Sequence, residues 1–289
     1  MRVQELFARA EALRKARDFP AAVPLYLEVL QAEPGHARAL LGLADAYRGA
    51  RKVGAVIETL RRYLDLRPGD AAAHSRLADA YRKSGRTAPA EDHYRKALVL
   101  NPDYRYALMG LGDLHWKADR PELALVCWER LLELDPGLVN IRTMVGNLHR
   151  KRLDFPRAEA AFRAALELEP GNPYALFGLA DSLRGLGRFE DAAPLWEELI
   201  RKDPGNPQTL TRAGDCFLRL GDPDRAETLF AGAIALGYDK SALLGLAKVQ
   251  RQRGALPEAA RIYRTILLHS PGDARVRSLL AELEGPAGQ

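Results

Sequence analysis

The sequence has few cysteines and no long hydrophobic run. Only two of its 289 residues are cysteine, Cys127 and Cys216, and neither has a histidine or cysteine at metal-site spacing. No stretch approaches the roughly 18 apolar residues that a membrane-spanning helix needs. The first residues mix charged and apolar side chains and lack the apolar core of a signal peptide. We therefore expect a soluble, cytoplasmic protein without disulfide bonds and without membrane insertion.

Motifs that carry chemistry are also missing. The sequence has no glycine-rich phosphate loop, no nucleophile elbow and no zincin pair of histidines. Four of its six histidines have no partner that spacing alone connects to them; these are His36, His74, His93 and His269. We expect no enzymatic activity, no cofactor, no metal site and no catalytic residue.

Charge of one sign is not concentrated anywhere. The net charge is +5, but lysine and arginine are interleaved with aspartate and glutamate along the whole chain. Basicity of this general kind is weak evidence for nucleic-acid binding. We keep that function as the weaker alternative, on five basic residues: Lys83, Lys117, Arg150, Lys151 and Arg152.

Proline, in contrast, recurs with a constant period. Six prolines follow one another at one unchanging interval: Pro34, Pro68, Pro102, Pro136, Pro170 and Pro204. Because proline makes up only 18 of 289 residues, chance does not explain this regularity. Tyr238 takes the next place, and Pro271 follows after the loss of one residue.

Each unit of this period is predicted to form two amphipathic helices. In the third unit, Leu77 and Tyr81 mark one apolar stripe, and Tyr94 and Ala97 mark a second at helical spacing. Proline opens many of the helices, where its missing N–H has no intrahelical partner. In two first helices the preceding asparagine, Asn172 or Asn206, is the expected cap. The periodic prolines disfavour helical backbone before them and end the second helices.

This pattern resembles the tetratricopeptide repeat (TPR), a helix-turn-helix unit of about 34 residues. In the unit that ends at Pro136, five residues fill the places of the family motif: Leu108, Leu111, Gly112, Ala124 and Trp128. His115 and His149 stand where the family prefers tyrosine, which implies packing and not chemistry. The resemblance implies an all-α, right-handed superhelical solenoid of eight helix-turn-helix repeats with a C-terminal capping helix.

We expect a single solenoid domain over residues 1–289. Its repeats are predicted at 3–36, 37–70, 71–104, 105–138, 139–172, 173–206, 207–239 and 240–273. Residues 274–284 are predicted to form the capping helix, and 285–289 a frayed tail.

The resemblance also implies that the first helices line a concave groove for a partner. An acidic ladder recurs along them, at Asp45, Asp79, Asp113, Asn147, Asp181 and Asp215. Three residues further on is a mainly basic ladder of Arg48, Arg82, Arg150, Arg184 and Arg251, interrupted by Trp116 and Leu218. A spacing of three puts each carboxylate beside its guanidinium on one helix face. These pairs are either a solvated face or a set of hydrogen-bonding groups that grips a partner.

A second pattern has twice the period. The segment Ala39-Leu-Leu-Gly-Leu-Ala-Asp recurs in similar form from Ala107, Ala175 and Ala242, whereas intervening units carry Arg76, Met144 or Arg212 at the glycine's place. This alternation predicts apolar bands in the groove from Leu41, Met109, Phe177 and Leu244, aided by Tyr106 and Tyr174. The adjacent glycines are expected to let a partner approach closely. Duplication of a two-repeat unit without any function is the alternative.

The sequence therefore predicts a scaffold that holds a peptide or helical segment of another protein. Self-association as a structural repeat protein is the alternative. The predicted groove residues are Leu41, Asp45, Arg48, Asp79, Arg82, Tyr106, Met109, Asp113, Trp116, Asn147, Arg150, Tyr174, Phe177, Asp181 and Arg184.

Overall fold

The described part of the chain is entirely helical. The structure, a computed structural model, describes residues 2–285, which form seventeen α-helices and no strand. Most of the predicted tail, residues 286–289, lies outside this range. The helices group into two compact units that meet in sequence between Leu138 and Val139. The arrangement of all repeats as one right-handed solenoid domain stays a prediction.

The first unit contains eight helices in four helix-turn-helix pairs, one for each predicted repeat, with α1 beginning one residue before the first of them. They are α1 (Arg2–Lys15), α2 (Phe19–Ala32), α3 (Ala37–Gly49), α4 (Val53–Leu66), α5 (Ala71–Lys83), α6 (Thr87–Leu100), α7 (Arg105–Lys117) and α8 (Pro121–Leu134). Odd-numbered helices are the first helices of their repeats.

The second unit contains nine helices, again paired as predicted. They are α9 (Val139–Lys151), α10 (Phe155–Leu168), α11 (Pro173–Gly185), α12 (Phe189–Lys202), α13 (Pro207–Arg219), α14 (Pro223–Ala235), α15 (Lys240–Gln252), α16 (Leu256–His269) and α17 (Ala274–Glu284). The last of these spans the residues predicted for the capping helix, and its Val276 is fully buried against the preceding pair.

Short polar side chains and prolines begin these helices as the sequence predicts. The Asn172 side chain accepts a hydrogen bond from the Ala175 N–H at 3.0 Å, and Asn206 caps Thr209 at the same distance. In the first unit, Asp70 accepts from the Ala73 N–H at 2.9 Å. Each cap satisfies one of the donors that the first turn leaves without an intrahelical partner.

The core is built from one large side chain in each second helix. Seven of the eight equivalent places hold an aromatic ring, and Leu60 takes the remaining one; the rings are Tyr26, Tyr94, Trp128, Phe162, Trp196, Phe230 and Tyr263. All eight side chains are at most 1% exposed. They are among the largest fully buried side chains of the described residues.

These rings fill the space beside the glycines of the two-repeat pattern. A Cβ at Gly42 would lie 2.5 Å from the Tyr26 ring, and one at Gly178 would lie 2.1 Å from Phe162. Gly110 and Gly245 meet the ring of the preceding repeat in the same way. The expectation that these glycines let a partner approach closely is therefore wrong, because the space beside them is filled from within the core.

This packing brings certain first helices together. In the first unit, Cα atoms of α1 and α3 approach within 8 Å, as do those of α5 and α7, whereas none of α3 and α5 do. In the two close pairs the later helix carries a glycine of the two-repeat pattern, Gly42 on α3 and Gly110 on α7. In the separated pair the later helix, α5, carries Arg76 at that place. In the first unit, the alternation of the sequence thus coincides with an alternation in the spacing of neighbouring first helices.

The histidines follow the sequence analysis only in part. His115 and His149 are buried, at 3% and 6% exposure, as expected for residues in a tyrosine place. His74 and His93, which spacing did not connect, lie together with their Nδ1 atoms 2.9 Å apart. They stand on different helices, and only the packing of α5 on α6 brings them into contact.

Candidate functional site on the first helices

In the first unit, Asp45 lies within ion-pair distance of three arginines. Its carboxylate lies 3.1 Å from Arg48 on its own helix, 3.5 Å from Arg76 on α5 and 3.8 Å from Arg14 on α1. Arg14 is also paired with Glu11 at 2.8 Å. The predicted i, i+3 pair of Asp45 and Arg48 is therefore real, but it is part of a network that links three successive first helices.

The next step of the ladder in this unit is tied to the core. Arg82 pairs with Asp79 at 3.2 Å, and the same carboxylate accepts a hydrogen bond from the buried Tyr94 hydroxyl at 2.5 Å. Burial and the hydrogen bond to Asp79 raise the pKa of Tyr94, so the phenol keeps its proton. The ladder is thus held in place by the core beneath it.

Asp113 breaks the pattern because Trp116 stands where an arginine would pair with it. Among residues 2–285, no cation lies within ion-pair distance of the Asp113 carboxylate. Burial raises its pKa, and the charges of Arg82 and Lys117 oppose this only partly. The Trp116 ring instead packs at 5.8 Å from the buried Trp128 ring.

The second unit repeats the three-arginine arrangement around Asp181. Arg150, Arg184 and Arg212 lie 2.5, 2.8 and 3.8 Å from its carboxylate. Each of these residues stands four repeats after its counterpart in the first unit. Asn147 accepts a hydrogen bond from Arg150 at 3.2 Å.

Burial distinguishes the two aspartates. The Asp181 side chain is 5% exposed, and the Asp45 side chain is 19% exposed. Burial alone would raise the pKa of Asp181, but the hydrogen bond from Arg184 and the charges of three arginines outweigh it. The pKa of Asp181 therefore lies below its usual value, and the carboxylate stays ionised.

The apolar residues predicted for the groove lie beside these networks. Tyr106 in the first unit and Tyr174 in the second are each 74% exposed. Met109 and Phe177, three residues further along the same helices, are half-buried, as is Leu41 on α3. The Phe177 ring packs edge-on against the buried Trp196 ring at 5.2 Å. Each unit thus presents an exposed tyrosine one helical turn from a half-buried apolar side chain.

The first unit also contains a pocket that the sequence analysis missed. It has a volume of about 340 Å³ and lies between α3, α4 and α5. Its lower part is apolar, and its rim is charged. The apolar part is formed by Ala44, Val53, Val56, Leu60 and Ala80, and the rim by Arg48, Arg51, Arg76, Lys83, Asp45 and Asp79. The available signal was Leu60, the single aliphatic residue in the aromatic series.

Nothing in the described residues assembles into a metal centre or a membrane span. No group of three or more histidine, cysteine, aspartate or glutamate side chains among residues 2–285 is placed to hold a metal ion. No helix in that range is long and apolar enough to cross a membrane. What the first helices do offer is fixed donors and acceptors next to exposed apolar surface.

Solved structures share this architecture. The C-terminal part of a TPR repeat-containing protein from Cytophaga hutchinsonii is 17% identical, with a TM-score of 0.68 over 83% of this chain and 99% of that one. YrrB, described as a TPR protein with an unusual peptide-binding site, is 21% identical, with a TM-score of 0.59 over 65% of this chain and 97% of its own. MamA is 26% identical, with a TM-score of 0.53 over 55% of this chain and 94% of its own.

The sequence itself matches family models. Models described as tetratricopeptide repeat match residues 7–71, 71–104, 143–207 and 211–278, which is well over half of the chain. Among curated proteins, none matches it. The repeat period, the paired helices and these matches agree, and the chain belongs to the tetratricopeptide repeat family.

Proposed function

We propose that this protein is a non-enzymatic scaffold, acting in the cytoplasm, whose first helices hold a peptide or helical segment of a partner protein. The observation that carries the proposal is the pair of matching sites Tyr106 with Met109 and Tyr174 with Phe177. In both, an exposed aromatic ring lies one turn from a half-buried apolar side chain on a first helix. Exposed aromatic and apolar anchors of this kind dominate the energetics of protein interfaces.

The ion-pair networks support the same function. Asp45, Asp79 and Asp181 are each held by arginines or a buried tyrosine, so their side chains are ordered before a partner arrives. Pre-ordered groups reduce the conformational entropy that binding would otherwise remove. A structural relative, YrrB, is described as having a peptide-binding site, which supports a peptide as the class of partner.

The experiment removes the two exposed tyrosines together. Phe177 and Met109 are poorer targets, because Phe177 also packs on Trp196 and its loss would weaken the core. The variant Tyr106→Ala with Tyr174→Ala should unfold at the same urea concentration as the wild type, that is, with the same urea midpoint. Its affinity for the partner should be about tenfold lower, the equivalent of roughly 1.4 kcal/mol. Capture from a lysate of the source cells, followed by crosslinking and quantitative mass spectrometry, measures the loss.

A matched control removes equally exposed apolar side chains from second helices. Val99 on α6 is 82% exposed and Leu268 on α16 is 80% exposed. The variant Val99→Ala with Leu268→Ala should capture the same proteins as the wild type. Equal capture by the tyrosine variant and the control would contradict binding by the first helices.

Self-association and nucleic-acid binding stay alternatives with their own tests. Light scattering over a concentration series detects self-association as a mass that rises above 32.0 kDa. Nucleic-acid binding requires a mobility shift with RNA or DNA that weakens as salt rises. Arg150, one of the basic residues behind that alternative, is already paired with Asp181.

A further inference from the structure

The pocket between α3, α4 and α5 lies where one core side chain is smaller than its counterparts. Tyr26 and Tyr94, one repeat before and one repeat after Leu60, fill the corresponding space with a ring. Leu60 lacks that ring, and the space above it opens as the cavity of about 340 Å³. The pocket therefore coincides with the one interruption of the aromatic series.

Arg76 lines the same opening. It stands on α5 at the place where α3 carries Gly42 and α7 carries Gly110. At their Cα atoms, α3 and α5 do not come within 8 Å of each other. The Arg76 guanidinium reaches across the gap to Asp45 at 3.5 Å. The pocket therefore lies between the short side chain of Leu60 and an arginine that spans from α5 to α3.

The rim carries an excess of positive charge. Four of its side chains are cationic, namely Arg48, Arg51, Arg76 and Lys83, and two are anionic, namely Asp45 and Asp79. Both carboxylates are already engaged, one by three arginines and the other by Arg82 and Tyr94.

Two of the rim cations are free to bind. The exposed side chains of Arg51 and Lys83 have no hydrogen-bond or ion-pair partner within the described range 2–285. Arg51 lies in the turn after α3, Lys83 is the last residue of α5, and both line the pocket. Unpaired cations beside an apolar cavity favour a ligand that is apolar at its centre and negatively charged around it.

We propose that this pocket recognises an acidic peptide segment, which inserts one aromatic side chain between α3 and α5 and places flanking carboxylates against Arg51 and Lys83. The proposal rests on the proposed function and names the chemistry of its partner. The cavity volume suits a single large side chain, whose burial removes its apolar surface from water. The flanking ion pairs stay at the exposed rim and contribute selection for acidic sequences more than affinity.

The other unit supplies a design that closes the pocket. Around Asp181 the same three arginines recur, but Trp196 stands at the place of Leu60 and is fully buried. A large ring is thus compatible with an arginine in the next first helix, since Arg212 follows Trp196 at the spacing at which Arg76 follows Leu60. Leu60→Trp should fill the pocket and keep or raise the urea midpoint.

The charge variant is equally conservative for folding. Arg51 has a positive φ of 58°, and the corresponding residue of the next repeat is Gly85, with a φ of 76°. Arg51→Gly removes the cation at a place where glycine is favoured. It is combined with Lys83→Gln. The control is Arg62→Glu, a charge change of an exposed residue on α4 that does not line the pocket.

The experiment measures fluorescence anisotropy of three fluorescein-labelled peptides with the full chain. The first has one phenylalanine flanked by aspartates and glutamates, the second has alanine for phenylalanine, and the third has lysines for the acidic residues. We expect saturable binding of the first and at least about tenfold weaker binding of the other two. Against the first peptide, Leu60→Trp should lose about tenfold, and Arg51→Gly with Lys83→Gln about fivefold with a smaller salt dependence.

The outcomes separate this proposal from the proposed function. Unchanged affinity in Leu60→Trp, or equal loss in Arg62→Glu and in the charge variant, overturns the pocket. Binding that survives Leu60→Trp but is lost with the two tyrosines keeps the groove and overturns the pocket. No binding of the acidic peptide by the wild type also overturns the pocket, while lysate capture through the tyrosines would still stand. If Leu60→Trp fails to fold, the alanine peptide and the charge variant decide the matter.

Discussion

At the scale of single residues, Asp45 and Asp181 show how one sequence pattern acquires two environments. Both stand at the same place of their repeats, and both collect arginines from three successive first helices. Asp181 is the more deeply buried of the two, at 5% against 19% side-chain exposure. A buried carboxylate compensates cations that water reaches poorly, so its loss leaves them less well solvated.

We predict that Asp181→Asn destabilises the protein more than Asp45→Asn does. Removing one partner from a buried charge network costs about 3 kcal/mol, whereas removing one from a partly exposed pair costs less than about 1 kcal/mol. Urea unfolding followed by circular dichroism at pH 7 measures both differences against the wild type. Equal shifts in the two variants would show that burial does not decide the strength of these networks.

The histidine pair is a second residue-scale feature with a defined proton arrangement. His74 Nε2 lies 3.0 Å from the Pro68 carbonyl oxygen, which can only accept, so the neutral His74 ring carries its proton there. Its Nδ1 then accepts from the Nδ1–H of His93 at 2.9 Å. The His93 ring also stacks on Tyr81. If both rings were protonated, their Nδ1–H groups would face each other, and the hydrogen bond would be replaced by a repulsion.

The free energy of unfolding should therefore decrease as the pH is lowered from 6.5 to 4. Burial, the neighbouring His74 and the charge of Lys96 lower the pKa of His93 from 6.5 to about 4, although Asp92 opposes them. Below pH 6.5 the unfolded chain takes up a proton that the folded chain refuses until about pH 4, so acid favours unfolding in this window. The urea midpoint at pH 7.0 and pH 4.5 should differ less in His93→Gln than in the wild type. The exposed His269→Gln is the control, and an equal reduction in both variants would contradict this assignment.

At the scale of helices, a ring from one repeat packs against a glycine of the next repeat. The Phe162 ring lies between Gly146 on α9 and Gly178 on α11, where added Cβ atoms would lie 2.9 and 2.1 Å from it. The ring is fully buried, so it cannot move away from an added Cβ into solvent. The contact between a ring and a glycine of the next repeat recurs for Tyr26, Tyr94 and Phe230, so it is a regular feature of the packing.

We predict that Gly178→Ala destabilises the protein by about 2 kcal/mol. Alanine favours a helix over glycine by up to about 1 kcal/mol, but overpacking against a confined ring costs more than that gain. Gly272→Ala is the matched control, because a Cβ there meets nothing within 4 Å and its φ is not positive. The urea midpoints of the two variants measure the difference, and a stabilised Gly178→Ala would contradict the packing account.

At the scale of the whole molecule, the repeated sequence is not used uniformly. Within the first unit, close pairs of first helices alternate with the wider step between α3 and α5, and that step carries the pocket. The equivalent residues of the second unit reproduce the arginines but place Trp196 where the pocket would lie. One repeat pattern thus leaves a pocket beside Leu60 in the first unit and places a buried ring at the equivalent position of the second.

Much of this architecture can be read from the sequence, because a repeat shows which residues are equivalent. The constant period of proline determined the helix pairs, and Asn172 and Asn206 determined where two of the helices begin. The pairing of Asp45 with Arg48 followed from helical geometry alone. These features depend on neighbours within one or two turns of the chain.

Only the tertiary structure decided how far apart equivalent helices lie. Arg76 reaches Asp45 from the following repeat, and His74 meets His93 on another helix, because packing and not sequence spacing sets those distances. Rings from the preceding repeat pack against Gly42 and Gly178, so these glycines belong to the core and not to the surface that was expected to contact a partner. Leu60 was visible in the sequence as the exception to the aromatic series, but the gap above it depends on how α3, α4 and α5 pack together.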